Sequence, residues 1–259
     1  MRAADCRAGR LAFVDPQERL TVSKIDFSKV CVLLPAYNEE RHIEPCLKKT
    51  LSAFPGAQVW VVDNNSRDRT AELAAAMGVR VLHEARPGKG YAVCAGVQQA
   101  LAEGCAWIAL HDSDNEYDAD NLAALVAACQ LTQAGPDEPA LVMGVGLREV
   151  TLANVLWRSI LANFVARTAL KLATRMPPPG DILTGSRVLS AELAKQLFAA
   201  EAGRAAYTGF ELETALTRKA LLAGAALVCE SVRYEPRDAS EKKIKAWDMY
   251  HILKAAWSA

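Results

Sequence analysis

Short apolar runs alternate with longer amphipathic segments through the first half of the chain. The runs are rich in Val, Ile and Leu and end at Pro, Asp or Gly, which predicts buried strands. These strands are expected at 30–35, 58–63, 79–84, 106–112 and 140–146. The segments between them predict helices at 39–54, 66–78, 89–104 and 119–132. Strands that alternate with helices predict an α/β fold, with a mostly parallel sheet and helices on both of its faces.

The second half of the chain is predicted to be richer in helix. Its pattern predicts helices at 151–176, 208–224 and 240–257, a rigid "PPPGD" loop at 177–181 and a strand at 225–236. Because no linker separates the two halves, we expect residues 29–259 to form one domain with the halves 29–146 and 147–259. Residues 1–28 are expected to be an N-terminal extension, held either loosely or as an added strand.

Composition narrows the class of protein. Positive and negative residues balance, with 30 of each, so there is no global attraction to nucleic acid. Seven cysteines lie scattered without a CxxC pair, which is typical of reduced thiols in a cytosolic protein. There is no signal-like apolar segment and no apolar stretch of about 18 residues, so neither secretion nor a membrane-spanning helix is predicted. We therefore expect a cytoplasmic protein.

Acidic side chains follow the predicted strand at 106–112. Asp112, Asp114 and Glu116 are spaced two apart, and two such carboxylates can share a hard divalent cation such as Mg²⁺ or Mn²⁺. The alternative is a cluster that caps the next helix, which is our interpretation of Asp118 and Asp120. In a parallel sheet, ligands bind at the carboxyl ends of the strands. Asp63, Asp112 and the segment 35–39 should therefore meet at one edge.

A glycine-lysine turn, "PGKG" at 87–90, leads into the predicted helix at 89–104. Glycine permits close approach of the backbone to a ligand, and Lys89 offers a positive charge. The spacing differs from that of a Walker A loop, and a plain turn before a helix is the alternative interpretation.

Four motifs occur in order at the strand ends: "LLPAYNEE" (33–40), "VVDNNSRDRT" (61–70), "RPGKGYAV" (86–93) and "DSDNE" (112–116). Together they resemble the family 2 glycosyltransferases, which have the GT-A fold. The later segments "GDILTGSRVL" (180–189), "GFELE" (209–213) and "YEPRDASEKKI" (234–244) are similar to the dolichol- or polyprenyl-phosphate mannose (or glucose) synthase branch of that family. The resemblance covers roughly residues 29 to 245. It implies that 29–146 is a nucleotide-sugar half and 147–259 an acceptor half.

The resemblance also implies roles for individual residues. Those expected to bind the GDP- or UDP-linked sugar are Pro35, Ala36, Tyr37, Glu39, Asp63, Asn65, Lys89, Asp112, Ser113, Arg148 and Lys243. Those expected to hold Mg²⁺ or Mn²⁺ on the diphosphate are Asp112, Asp114 and Glu116. Two features depart from the branch: "VDNNS" replaces its usual "VDDGS", which leaves the base preference open, and Arg158 does not align with its second phosphate-binding arginine.

The acceptor implied by the resemblance is a polyprenyl phosphate, which is already an anion and needs positioning more than a general base. A hydroxyl acceptor would need a carboxylate base, and Glu211, Glu213 and Asp181 are the candidates. Two residues apart on a helix, Glu211 and Glu213 point about 200° apart, so only one can face the site. A nucleotide-sugar-binding protein without activity is a further alternative, and a nucleotidyltransferase is a weaker one.

Two basic helices bear on the location of the protein. Arg167, Lys171 and Arg175 recur every fourth residue of the predicted helix at 151–176, beside the apolar residues Leu156, Ile160, Leu161, Phe164 and Val165. The C-terminal helix repeats the combination with Lys242, Lys243, Lys245, Trp247, Tyr250 and Trp257. Such helices favour a peripheral position at the cytoplasmic face of a membrane. Ordinary surface helices are the alternative.

Overall fold

One sheet of eight strands organises the chain, in the order β1-β8-β6-β7-β5-β2-β3-β4. The computed structural model describes residues 11–13, 25–133, 140–149, 157–199, 209, 211–235 and 248–257. The strands are β1 (Leu11–Phe13), β2 (Val30–Ala36), β3 (Gln58–Asp63), β4 (Arg80–His83), β5 (Trp107–Leu110), β6 (Val142–Arg148), β7 (Arg187–Ser190) and β8 (Ala226–Val232). The helices are α1 (Ile43–Ala53), α2 (Thr70–Ala76), α3 (Lys89–Ala102), α4 (Ala119–Thr132), α5 (Trp157–Thr174), α6 (Ala191–Phe198), α7 (Leu212–Leu222) and α8 (Asp248–Trp257).

The central strands β2 and β5 are buried on both faces, which explains why their positions are almost all apolar. Along β2, Cys31 and Leu33 pack with α3, α5, α6, α7 and α8 on one face of the sheet. Val32 and Leu34 pack with α1, α2 and α4 on the other face. This alternation is the period of two that an extended strand imposes. The first cluster takes side chains from both halves of the chain, so the halves share a core.

The α/β architecture predicted from the sequence is confirmed, with helices on both faces of a mostly parallel sheet. The structure adds two elements that the sequence pattern did not predict, β7 and α6. Strand β7 lies between β5 and β6 and runs antiparallel to both, whereas all other neighbouring strands are parallel. A four-residue strand, "RVLS", with only two apolar residues carries too little periodic signal to be separated from the loop before it.

Because β7 runs in the opposite direction, its first residue lies at the edge where the other strands end. Arg187 pairs with Leu110 on one side and with Val145 on the other. The loop before β7 therefore reaches the carboxyl edge of the sheet, where ligands bind in such folds.

Asparagine residues shape the turns at this edge. Asn38, Asn65 and Asn115 follow β2, β3 and β5, and they have φ angles of 52°, 62° and 60°. Asparagine tolerates this left-handed conformation better than most residues do. The three turns place the polar residues after each strand along one edge. In the ranges described, no helix combines the length and apolar character that crossing a bilayer requires.

Candidate active site

Side-chain and backbone hydrogen bonds tie the three strand ends together at the carboxyl edge. The Ser113 hydroxyl donates to the Pro35 carbonyl at 2.9 Å, which links the end of β5 to β2. The Asn64 N–H donates to the Ala36 carbonyl at 2.8 Å and links β3 to β2. These bonds place Pro35, Ala36 and Ser113, which are predicted to bind the sugar donor, at the same edge of the sheet.

The β2 and β3 ends carry the other predicted base and ribose contacts. Tyr37 is 45% exposed, while Glu39 and Asp63 are buried. The Glu39 N–H donates to the Thr70 hydroxyl at 2.8 Å. One oxygen of Asp63 lies 3.5 Å from His83 Nδ1, and the other is buried with no hydrogen-bond partner in the described part of the chain. A buried acceptor of this kind is suited to an N–H donor from a ligand, because leaving it unpaired costs free energy.

Asn64 fixes the loop that carries the glycine-lysine turn. Its Oδ1 accepts from the Gly88 N–H at 2.7 Å, and its Nδ2 donates to the Glu84 and Arg86 carbonyls at 3.2 and 2.6 Å. Gly88 has a φ of 134°, which side chains rarely allow. An amide side chain can both accept and donate at this position, which explains why Asn64 stands in "VDNNS".

Lys89, the first residue of α3, lies between two carboxylates. Its Nζ donates to Asp112 Oδ1 and to Glu213 Oε1, each at 2.7 Å. Burial alone would lower the pKa of Lys89, but the carboxylates of Asp112 and Glu213 outweigh it and hold that pKa above its usual range. The positive charge beside Asp112 is therefore an ammonium group that belongs to the protein.

The loop before β7 packs directly on Asp112. A Cβ atom added to Gly185 would lie 1.9 Å from Asp112 Oδ2, so either the carboxylate or the loop would have to move. The backbone at Gly185 thus forms one wall of the site. This contact was not predicted from the sequence. The signal for it is the glycine in "TGSR", the one residue type without a Cβ atom.

Asp114 and Glu116 diverge after Asp112. Asp114 is half-buried, and its Oδ1 accepts from the Glu116 N–H at 3.1 Å. The Glu116 side chain is hydrogen-bonded to the Tyr234 hydroxyl. The backbone carbonyl of Glu116 accepts from the Glu235 N–H at 2.8 Å. Among the described residues, no three His, Cys, Asp or Glu side chains are grouped closely enough to hold a metal by themselves. The structure therefore does not bring Glu116 together with Asp112 and Asp114, and its role as a metal ligand stays a prediction.

Arg148, predicted to contact a phosphate, pairs with a carboxylate. Its Nε and Nη2 donate to the two oxygens of Asp181 at 2.5 and 3.0 Å, and both side chains are largely buried. Its guanidinium also lies 5.4 Å from the centre of the Tyr234 ring. This pairing engages Arg148 and Asp181 with each other, and their roles toward a phosphate and an acceptor proton stay predictions.

The two glutamates at the start of α7 differ in position. Glu211 accepts from the Gly209 N–H at 3.1 Å just before the helix, whereas Glu213 is buried and reaches Lys89. Of the three base candidates, Glu213 is thus the one beside Asp112. Asn65 is exposed at the β3 turn, and Lys243 lies outside the described residues.

Comparison with known proteins gives the family. Residues 31–135 match the sequence profile of glycosyl transferase family 2. An uncharacterized glycosyltransferase of Mycobacterium bovis is 35% identical over 216 residues, which span 83% of this chain and 89% of that protein. The chain belongs to glycosyltransferase family 2.

Further relatives support the resemblance found in the sequence. The polyprenol monophosphomannose synthase of Mycolicibacterium smegmatis is 25% identical to this family 2 glycosyltransferase over 226 residues, covering 83% of this chain and 81% of the other. Among solved structures, glucosyl-3-phosphoglycerate synthase from Mycobacterium tuberculosis in complex with phosphoglyceric acid superposes with a TM-score of 0.68 at 21% identity, covering 96% of this chain and 88% of that one. The same enzyme in complex with Mn²⁺, UDP and glucosyl-3-phosphoglycerate gives a TM-score of 0.65 at 20% identity, covering 95% and 85%. At this identity the superposition shows the GT-A fold.

Proposed function

We propose that this family 2 glycosyltransferase moves a hexose from a GDP- or UDP-linked sugar to a polyprenyl phosphate, with inversion at the anomeric carbon. A phosphate oxygen of the acceptor attacks that carbon, and the bond to the diphosphate breaks with its electron pair on the leaving group. The similarity to a polyprenol monophosphomannose synthase supports this acceptor class.

One observation carries the proposal: each of the three carboxylates considered as a base already accepts a hydrogen bond within the protein. Asp181 is paired with Arg148, Glu211 accepts from the Gly209 N–H, and Glu213 accepts from Lys89. An anionic phosphate acceptor needs no such base, because it has no proton to lose. It does need cations and exact placement, which Lys89 and the loop at Gly185 are positioned to supply.

The donor set at the β5 end suits a hard divalent cation. Asp112 and Asp114 offer carboxylate oxygens on half-buried side chains, and such oxygens are the ligands that Mg²⁺ and Mn²⁺ prefer. We assign the metal to these two residues, with Glu116 as the further candidate. When bound, the metal would stabilise the negative charge that develops on the departing diphosphate. In one solved complex of the glucosyl-3-phosphoglycerate synthase, Mn²⁺ accompanies UDP.

A hydroxyl acceptor is the second candidate function. Glu213 favours it, because this buried carboxylate meets the same ammonium group as Asp112 and so lies beside the predicted donor site. In that reaction Glu213 would first leave Lys89 and then take the acceptor proton. The solved relative that forms glucosyl-3-phosphoglycerate shares only the fold at 20% identity.

A lipid acceptor fits an exposed stripe on α5, formed by Leu161, Phe164 and Leu172. These side chains are 63%, 63% and 65% exposed, and their spacing places them along one line of the helix. Lys171 and Arg175 are exposed, while Arg167 donates to the Pro179 carbonyl at 2.8 Å. Apolar and basic side chains together suit an anionic bilayer surface. We propose that this stripe holds the enzyme at the membrane where its acceptor resides.

Turnover with a panel of donors tests the proposal. Purified protein with Mg²⁺ or Mn²⁺ is given GDP- and UDP-sugars, with and without polyprenyl phosphate in detergent, and the lipid product is measured. Asp114→Asn should reduce transfer about 100-fold. Asp118→Asn is the matched control, because Asp118 caps α4 and asparagine also caps helices. Transfer that ignores the lipid would refute the polyprenyl phosphate acceptor.

Glu213→Gln separates the two acceptor classes. Glutamine can still accept a hydrogen bond from Lys89 but cannot take a proton. With a phosphate acceptor the rate should stay within about tenfold of wild type, whereas loss of a general base costs about 10² to 10⁴.

The α5 stripe has its own test. Phe164→Ser should weaken sedimentation of the protein with vesicles that contain phosphatidylglycerol. Leu131→Ser is the control, since Leu131 is 55% exposed on α4, on the other side of the sheet. Equal binding of both variants would argue against the stripe.

A further inference from the structure

Arg187 is a fully buried cation that the reaction described above does not use. It begins β7 and is 0% exposed, although it lies at the carboxyl edge of the sheet. Burial lowers the pKa of its guanidinium, while the charges of Glu213 and Asp181 act in the opposite direction. In the described part of the chain, no carboxylate forms an ion pair with it. Burying such a group is costly, so hydrogen bonds must compensate.

The compensation comes from three neutral acceptors. Nη2 donates to the Ile182 carbonyl at 2.8 Å, Nε to the Thr184 carbonyl at 3.3 Å, and Nη1 to the Thr217 hydroxyl at 2.9 Å. The guanidinium is planar and presents its donors in a fixed fork, so the three acceptors are held in a fixed arrangement. A buried apolar residue would fill this space more cheaply, but it would hold none of them.

On one side, Arg187 braces the start of α7. The Thr217 hydroxyl that accepts from Arg187 donates in turn to the Glu213 carbonyl at 2.8 Å. A chain of two hydrogen bonds therefore runs from β7 to the helical turn that carries Glu213. Through Glu213 it also bears on the position of Lys89.

On the other side, Arg187 braces the loop that closes on Asp112. It binds the carbonyls of Ile182 and Thr184, and the next residue, Gly185, is the one packed against the Asp112 carboxylate. The loop before β7, which packs on Asp112, and the first turn of α7, which reaches Asp112 through Lys89, are thus both held by the side chain of Arg187.

We infer that Arg187 is a positioning residue for sugar transfer, one that fixes Glu213 and the loop 182–186 relative to Asp112 through Thr217 and the loop carbonyls. The inference rests on the proposed function, because it assigns to the Asp112–Lys89–Glu213 site the role described there. Misplacement of a reacting group by about 1 Å can cost about 100-fold in rate. Removing the brace should therefore lower kcat much more than it weakens nucleotide binding, because the predicted base and ribose contacts lie at the β2 and β3 ends.

Two variants and a matched control test the inference. Thr217→Val removes only the hydroxyl that links Arg187 to α7, and Arg187→Lys keeps the charge but loses the fork. Thr50→Val is the control, because Thr50 is also fully buried and donates to the carbonyl four residues back, at 2.9 Å, in α1. The readouts are kcat, KM for the donor, Kd for UDP and GDP, the melting temperature, and amide exchange of the segments 182–186 and 211–217.

We expect kcat to fall about tenfold in Thr217→Val and about 100-fold in Arg187→Lys, with the nucleotide Kd within about twofold of wild type. Amide exchange should rise in both segments in Arg187→Lys and in 211–217 in Thr217→Val, but in neither for Thr50→Val. A loss of activity that only follows the melting temperature, to the same degree in Thr50→Val, would overturn the inference. So would unchanged exchange in both segments. If the wild type transfers no sugar, the proposed function fails, and the exchange data alone still decide whether Arg187 braces these segments.

Discussion

Lys89 Nζ lies 2.7 Å from the Glu213 carboxylate, although the two residues are 124 positions apart in the chain. The same nitrogen is 2.7 Å from Asp112, so one ammonium group joins the first half of the chain to the second. Carboxylates that would otherwise repel each other are held close by this charge.

Replacing Lys89 by methionine should lower sugar transfer about 100-fold, because two partly buried carboxylates would then face each other without a cation. Steady-state kinetics with the best donor of the panel measures this loss. Lys195→Met is the control, since Lys195 is exposed on α6. Wild-type rates in Lys89→Met would contradict the role given to this contact.

Gly185→Ala should inactivate the enzyme by displacing Asp112. The new Cβ would lie 1.9 Å from Asp112 Oδ2, and either the carboxylate or the loop must move. Gly180→Ala, whose Cβ would meet nothing closer than 3.6 Å, should keep nearly full activity. The comparison uses turnover together with circular dichroism, and equal activity of the two variants would argue against the close approach at Gly185.

Asn64→Asp should destabilise the protein even though aspartate is usual at this position in the related branch. Two donated hydrogen bonds to the Glu84 and Arg86 carbonyls are lost, and a buried carboxylate then faces those oxygens. We expect the free energy of unfolding in urea to fall by about 2–4 kcal/mol. Asn121→Asp should leave the free energy of unfolding nearly unchanged. The Asn121 oxygen accepts from the Arg233 N–H, and an aspartate oxygen can accept the same bond.

Glu84→Gln should flatten the acid limb of the stability curve. Hydrogen bonds from Arg86 at 2.8 and 2.7 Å hold the pKa of Glu84 below its usual range. Because the folded pKa is the lower one, the stabilisation is complete above the unfolded value of about 4.3 and disappears as the pH falls through the folded value.

The unfolding free energies of wild type and Glu84→Gln should therefore differ by only about 1 kcal/mol at pH 7, because Arg86 is partly exposed. They should converge as the pH falls through the lowered pKa of Glu84. Glu72→Gln is the control, because the Glu72–Arg69 pair is fully on the surface and should matter less at any pH. A difference that persists at low pH would show that Glu84 acts through packing.

Most strands and helices could be predicted because their signal is local. The strands predicted at 30–35 and 58–63 and the helix predicted at 119–132 agree closely with β2, β3 and α4. Each shows an apolar run or a helical period within its own residues. Strand β7 was missed because a short strand owes its existence to the neighbours on either side, β5 and β6.

The sequence by itself determined the α/β class, the family and the polar residues that end each strand, since parallel strands bring their carboxyl ends to one edge whatever their order. Only the tertiary structure decided what those residues contact. It paired Arg148 with Asp181, turned Glu116 to Tyr234, and set Lys89 against Glu213. These contacts depend on where an antiparallel strand inserts and how α7 packs over it. No local pattern encodes such long-range placement, because the packing of the whole core fixes it.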